Sequence, residues 1–79
     1  MTPKQLKCEI TKGMFSDERV VTFMSRGGEV SVFVPQDVVH ENNGSSTVNV
    51  RAYQLEKAWL AILPTEDALA VYVDENAIV

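Results

Sequence analysis

Apolar and polar side chains alternate along most of this chain, and the alternation is densest in two places. Arg19-Val-Val-Thr-Phe-Met and Val30-Ser-Val-Phe-Val-Pro flank Arg26-Gly27-Gly28-Glu29, while Ala58-Trp-Leu-Ala-Ile-Leu and Leu69-Ala-Val-Tyr-Val-Asp flank Pro64-Thr-Glu-Asp. Runs rich in β-branched and aromatic residues on either side of a turn signal read as β-hairpins. In the first, Gly27-Gly28 supplies the positive φ that a two-residue primed turn requires. Arg26 then faces Glu29, Phe23 faces Val32 and Val21 faces Val34. By the period-two rule Val21, Phe23, Val30, Val32 and Val34 share the core face, leaving Val20, Thr22, Met24, Ser31 and Phe33 on the other. The Arg26–Glu29 pair is a solvated turn flank of little energetic weight.

The two hairpins align with each other at a constant offset, Arg19 on Ala58 and Val30 on Leu69, which marks a candidate internal repeat. Glu66-Asp67 is a poor primed turn, so a four-residue loop from Pro64 to Asp67 is expected in the second hairpin. Leu60, Ile62, Leu69, Val71 and Val73 then point inward, and Trp59, Ala61, Leu63, Ala70 and Tyr72 outward. A three-residue loop would invert one strand.

Each hairpin is preceded by a weaker alternating run: Cys8, Ile10 and the stem of Lys12 in the first half, Val48, Val50 and Ala52 in the second. Gly13 hints at a bulge or bend. Pro35 closes the third strand, and residues 36–39 suit a single helical turn. Halves 8–39 and 48–79 are thus joined by a linker over 40–46, within one domain covering 1–79. The expected fold is all-β: a small antiparallel barrel of about six strands in two βββ repeats, SH3-like or pseudo-twofold. The alternative is α+β. Residues 54–63 are good helix formers, with Leu55, Ala58, Trp59 and Ile62 at helical spacing and Pro64 as a stop.

Seventy-nine residues bury only about 60–65% of their unfolded surface, so the domain is easily destabilised. One cysteine and one histidine offer neither an internal disulfide nor a structural zinc cluster. No apolar run approaches the roughly 18 residues of a membrane span, and the start lacks the apolar core of a signal peptide, which points to a cytoplasmic protein without membrane contact. Seven Lys and Arg against eleven Asp and Glu give a net charge of −4. The cations gather toward the start and the acids toward the end. That field repels phosphate backbones and counts against nucleic acid.

Chemistry is sparse. A Cys8–His40 dyad would need the imidazole beside the thiol, yet Cys8 alternates onto an apolar face and His40 opens the linker. Asp17-Glu18, Glu66-Asp67 and Asp74-Glu75 all flank turns, where solvated acids are ordinary, and neighbours on a strand point apart rather than across a cleft. There is no phosphate loop, metal spacing or nucleophile elbow. No catalytic residue, cofactor or metal is assigned, and an enzyme is not expected. The outward face is the informative feature: Val20, Met24, Phe33, Trp59, Leu63 and Tyr72 place large apolar groups where a barrel meets solvent, unless the terminal segments fold over them. The expected function is a non-catalytic interaction domain that binds a protein partner or self-associates as a homodimer through those six residues. The alternative is a small barrel for single-stranded nucleic acid, stacking bases on Phe33, Trp59 or Tyr72 beside Arg19, Arg51 and Lys57.

Overall fold

Because so many segments alternate with period two, the chain is built almost wholly of strands. The computed structural model describes residues 2–79. Eight strands run in order: β1 (Thr2–Lys7), β2 (Glu9–Lys12), β3 (Glu18–Ser25), β4 (Gly28–Pro35), β5 (Val39–Asn42), β6 (Ser45–Leu55), β7 (Ala58–Ile62) and β8 (Ala70–Asp74). Single 3₁₀ turns, Gln36–Val38 and Glu75–Ala77, follow β4 and β8. The count exceeds the expected six because the polar start forms β1 and the expected linker forms β5. Asn43 and Gly44, at φ 51° and 84°, make the tight turn that joins β5 to β6. Among the described residues no helix is long and apolar enough to cross a membrane.

All ladders are antiparallel and form two sheets: β2-β3-β4, and β1-β6-β7-β8 with β5 also paired to β6. The ladders do not join them into one closed barrel. One core lies between the sheets. Val21, Phe23 and Val34 enter it from the three-stranded sheet; Leu6, Val48, Val50, Ala61, Leu63 and Val73 enter from the five-stranded one. The helical alternative for 54–63 is not realised. Gln54 and Leu55 end β6, Lys57 turns the chain at φ 62°, and Ala58 to Ile62 pair with both β6 and β8. Pairing on two edges outweighs the modest helix propensity of this stretch.

Both hairpins depart from the expected register. In the first, Ser25 stands opposite Gly28, so the loop is Arg26–Gly27; Phe23 faces Val30 and Val21 faces Val32. Ser25 sets this turn: its Oγ donates to the Gly28 carbonyl at 2.7 Å and accepts from the Gly27 amide at 3.1 Å. Gly28, rather than Gly27, takes the positive φ, 122°. The slip moves each partner by two positions, so every side chain keeps its face. In the second hairpin the Leu63 amide donates to the Leu69 carbonyl at 2.8 Å, and Ile62 faces Ala70. The loop therefore holds five residues, 64–68, because Ala68 adds a left-handed position (φ 51°). Thr65 braces that loop: its carbonyl accepts from the Ala68 amide and its Oγ1 from the Leu69 amide, each at 3.0 Å. An odd difference inverts β7, so Ala61 and Leu63 face the core while Leu60 and Ile62 face outward.

The halves share their order of elements. Both 3₁₀ turns fall at the offset that aligns Val30 with Leu69, and each is followed by a residue that pairs into the other half: Val39 lies opposite Val48, and Ile78 opposite Leu6. Leu6 and Val48 in turn lie opposite one another, both fully buried. One row, Val39–Val48–Leu6–Ile78, thus crosses the middle of the molecule. Gly13 marks a bend before β3. Its amide donates to the Glu18 carbonyl at 3.2 Å, and a Cβ there would come within 2.8 Å of that oxygen.

Candidate interaction surface

The alternation that buries Val21 and Phe23 turns Val20, Thr22 and Met24 to the opposite side. Four cross-strand rows make up the outer face of the three-stranded sheet: Glu18–Pro35, Thr11–Val20–Phe33, Glu9–Thr22–Ser31, and Met24–Glu29. Thr22 and Ser31 share a hydroxyl hydrogen bond of 2.7 Å. Val20 is half-buried beside Phe33, which is 53% exposed, and Met24 is 66% exposed. These three expected surface residues lie together.

The other three separate. Tyr72, 54% exposed, sits on the outer face of the five-stranded sheet in the row Tyr53–Leu60–Tyr72, beside the row Arg51–Ile62–Ala70. Leu63 is 1% exposed and belongs to the core, because the fifth loop residue turned β7 over. Trp59 goes with it: half-buried against the core, it carries the Lys4 ammonium 5.6 Å from its ring centroid. Trp59 and Tyr72 therefore occupy opposite faces rather than forming a pair. Leu60 and Ile62, which replace Leu63 and Trp59 outside, were hidden by one residue of loop length; Tyr53 lies outward by the alternation of β6, which buries Val48, Val50 and Ala52. Met14 and Phe15, exposed in the turn before β3, lie outside both alternating runs.

At the hairpin tips the sheets meet in two corresponding joints. In one, Arg26 docks on β8: its amide donates to the Tyr72 carbonyl at 2.8 Å, Nε to Asp74 Oδ1 at 3.0 Å and Nη2 to the Lys57 carbonyl at 2.8 Å. The expected partner Glu29 faces Met24 instead, since the turn moved by one residue. In the other joint, at the same offset, the 64–68 loop approaches β4. Ser31, Val32 and Phe33 face Thr65, Glu66 and Asp67 across an open groove of about 670 Å³. It runs on into a second hollow of about 460 Å³ between Asp17, Glu18, Pro35 and Pro64. Two acidic pairs far apart in sequence therefore border one groove. A separate hollow of about 810 Å³ beside β1 and β6 has Lys4 and Arg51 as its charged side chains.

Cys8 and His40 are not brought together as a dyad. Cys8 packs on the core, and burial pushes its thiol from 9.0 up to about 11, which keeps it protonated at neutral pH. His40 is on the exposed side of β5, its Nε2 2.9 Å from Asn49 Oδ1. Among the described residues no three metal-ligating side chains cluster. No protein-family model, curated protein or solved structure matches the chain.

Proposed function

We propose that the chain is a non-catalytic protein-interaction domain, binding through apolar groups on the outer faces of its two sheets. The reading rests on one observation: Phe33 and Met24 on one face, and Tyr72 and Tyr53 on the other, stand open beside half-buried Val20 and Leu60. Rigid aromatic area of this kind binds at low entropic cost, and a small monomer seldom leaves it uncovered. With it goes an architectural proposal: the halves are related by a pseudo-twofold axis between Leu6 and Val48, as a small barrel open along β4.

The test is molar mass by light scattering at low and high salt, followed by affinity capture with the immobilised domain. Phe33→Ser and Tyr72→Ser should leave the melting temperature nearly unchanged yet remove a salt-insensitive contact, with the domain itself or with a captured protein. Association indifferent to both substitutions refutes the reading. One observation favours a second reading, single-stranded nucleic acid: Arg51 lies in the row next to Tyr53–Leu60–Tyr72 on the outer face of the five-stranded sheet, and Asp74 nearby is paired to Arg26. Binding of oligothymidylate that falls steeply with salt would select it.

A further inference from the structure

The two hairpin-to-edge joints differ, and the difference exposes backbone. Ser25 and Gly28 close a two-residue loop, so they exchange hydrogen bonds; with the antiparallel alternation, so do Phe23 with Val30, Val21 with Val32 and Arg19 with Val34. Glu29, Ser31 and Phe33 therefore turn their N–H and C=O groups away from β3. Among the described residues β4 has no strand on that side, since it is the edge of its sheet. At the corresponding joint the Tyr72 carbonyl is taken up by the Arg26 amide. Among the described residues no backbone hydrogen bond links Ser31 or Phe33 to the 64–68 loop; the groove lies between them instead. An unpaired strand edge is a template for another strand.

We infer that the β4 edge captures an extended, basic segment of a partner protein, which adds as a fourth strand between β4 and the 64–68 loop. This rests on the reading of the domain as protein-binding and names the partner's chemistry. The choice of occupant follows from charge. Glu66 and Asp67 border the groove on one side, and Asp17 and Glu18 border its continuation. An added strand shows alternate side chains to opposite faces. Lys or Arg would face the loop acids, and apolar side chains would lie beside Phe33. A second copy of the chain fits less well, because two β4 edges would bring two sets of these carboxylates together on molecules of charge −4.

The probe is a fluorescein-labelled peptide of four Lys-Val repeats, read by fluorescence anisotropy against the full domain. Saturable binding that Ser31→Pro weakens about tenfold or more is expected, since proline removes an edge donor and is tolerated on an edge strand. E66Q/D67N should weaken it about threefold to tenfold and flatten its salt dependence. If Ser31→Pro does not fold, N-methylated peptides decide: methylation of the Lys amides and of the Val amides must have unequal effects, because only one set faces β4. Equal binding by both, undiminished binding to folded Ser31→Pro, or no binding at millimolar peptide would each overturn the inference. So would a dimer of the domain that Ser31→Pro converts to monomer, which would make the occupant a second copy. Association lost in Phe33→Ser and Tyr72→Ser but kept in Ser31→Pro would leave the wider proposal standing and this one refuted.

Discussion

Leu63 and Leu60 are three residues apart on one hairpin strand, and their truncation separates the observed loop from the expected one. Leu63 is 1% exposed and, with Leu6, among the largest fully buried side chains. Leu63→Ala removes its transfer free energy and leaves a cavity in the buried core cluster, at a cost of about 3 kcal/mol. A domain of this size has ~4–12 kcal/mol in total, so that one change takes a large share of it. Leu60 is half-buried on the outer face between Tyr53 and Tyr72. Its truncation loses partial burial without an enclosed cavity, about 1 kcal/mol. Urea unfolding at 25 °C, followed by Trp59 fluorescence and far-ultraviolet circular dichroism, measures both. With an m-value of about 1 kcal/mol per molar, the midpoint should fall by about 3 M for Leu63→Ala and about 1 M for Leu60→Ala. A four-residue loop would reverse that order, so Leu60→Ala proving the costlier would refute the assignment of faces and of the surface built on it.

Cys8 should be slow to alkylate. With its thiol raised to about 11 by burial, iodoacetamide at pH 8 should react about a hundredfold more slowly than in the urea-unfolded chain; equal rates would place the thiol in solvent. The same shift has a sign for stability: ionisation favours the unfolded chain, so stability is unaffected by this group below pH 9.0 and falls as pH rises toward about 11, which urea midpoints across that window measure. Ala68→Gly relieves a left-handed alanine and should raise the melting temperature by about 3 °C, from roughly 0.5 kcal/mol net of glycine's entropy; a fall would mean that the alanine methyl has a packing role. Arg26→Lys keeps the charge but not the fork that reaches both Asp74 and the Lys57 carbonyl. It should cost up to about 1 kcal/mol in the same urea titration, and no loss would show that the backbone bond alone holds that joint.

Strand type and inner face were legible wherever period two ran unbroken. Val21, Phe23, Val30, Val32 and Val34 kept their face even though the turn moved by one residue, because a two-position slip preserves parity. The second hairpin was not legible to that depth. Whether Leu63 or Leu60 faces the core depends on one residue of loop length, and that residue, Ala68, adopts a conformation alanine does not advertise. The break between β5 and β6 was written in Asn43-Gly44, a strong turn signal, but the polar residues around it read as a linker. Of the surface, Val20, Met24 and Phe33 could be found from alternation alone. The β4 groove could not, since it depends on Asp17 and Glu66 meeting across sequence-distant loops.

The row Val39–Val48–Leu6–Ile78 carries a consequence for how the molecule assembles. The closing residues of each half are held by the opening strand of the other, so the halves are clasped together rather than set side by side. Neither half holds the whole of the five-stranded sheet. The clasp joins Leu6 to Ile78, nearly the full length of the chain, and such distant partners can meet only after most of the loop entropy has been lost. A chain nicked at Asn43-Gly44 would thus become two peptides that complete the five-stranded sheet only together, since β1 and β5 lie on one and β6, β7 and β8 on the other.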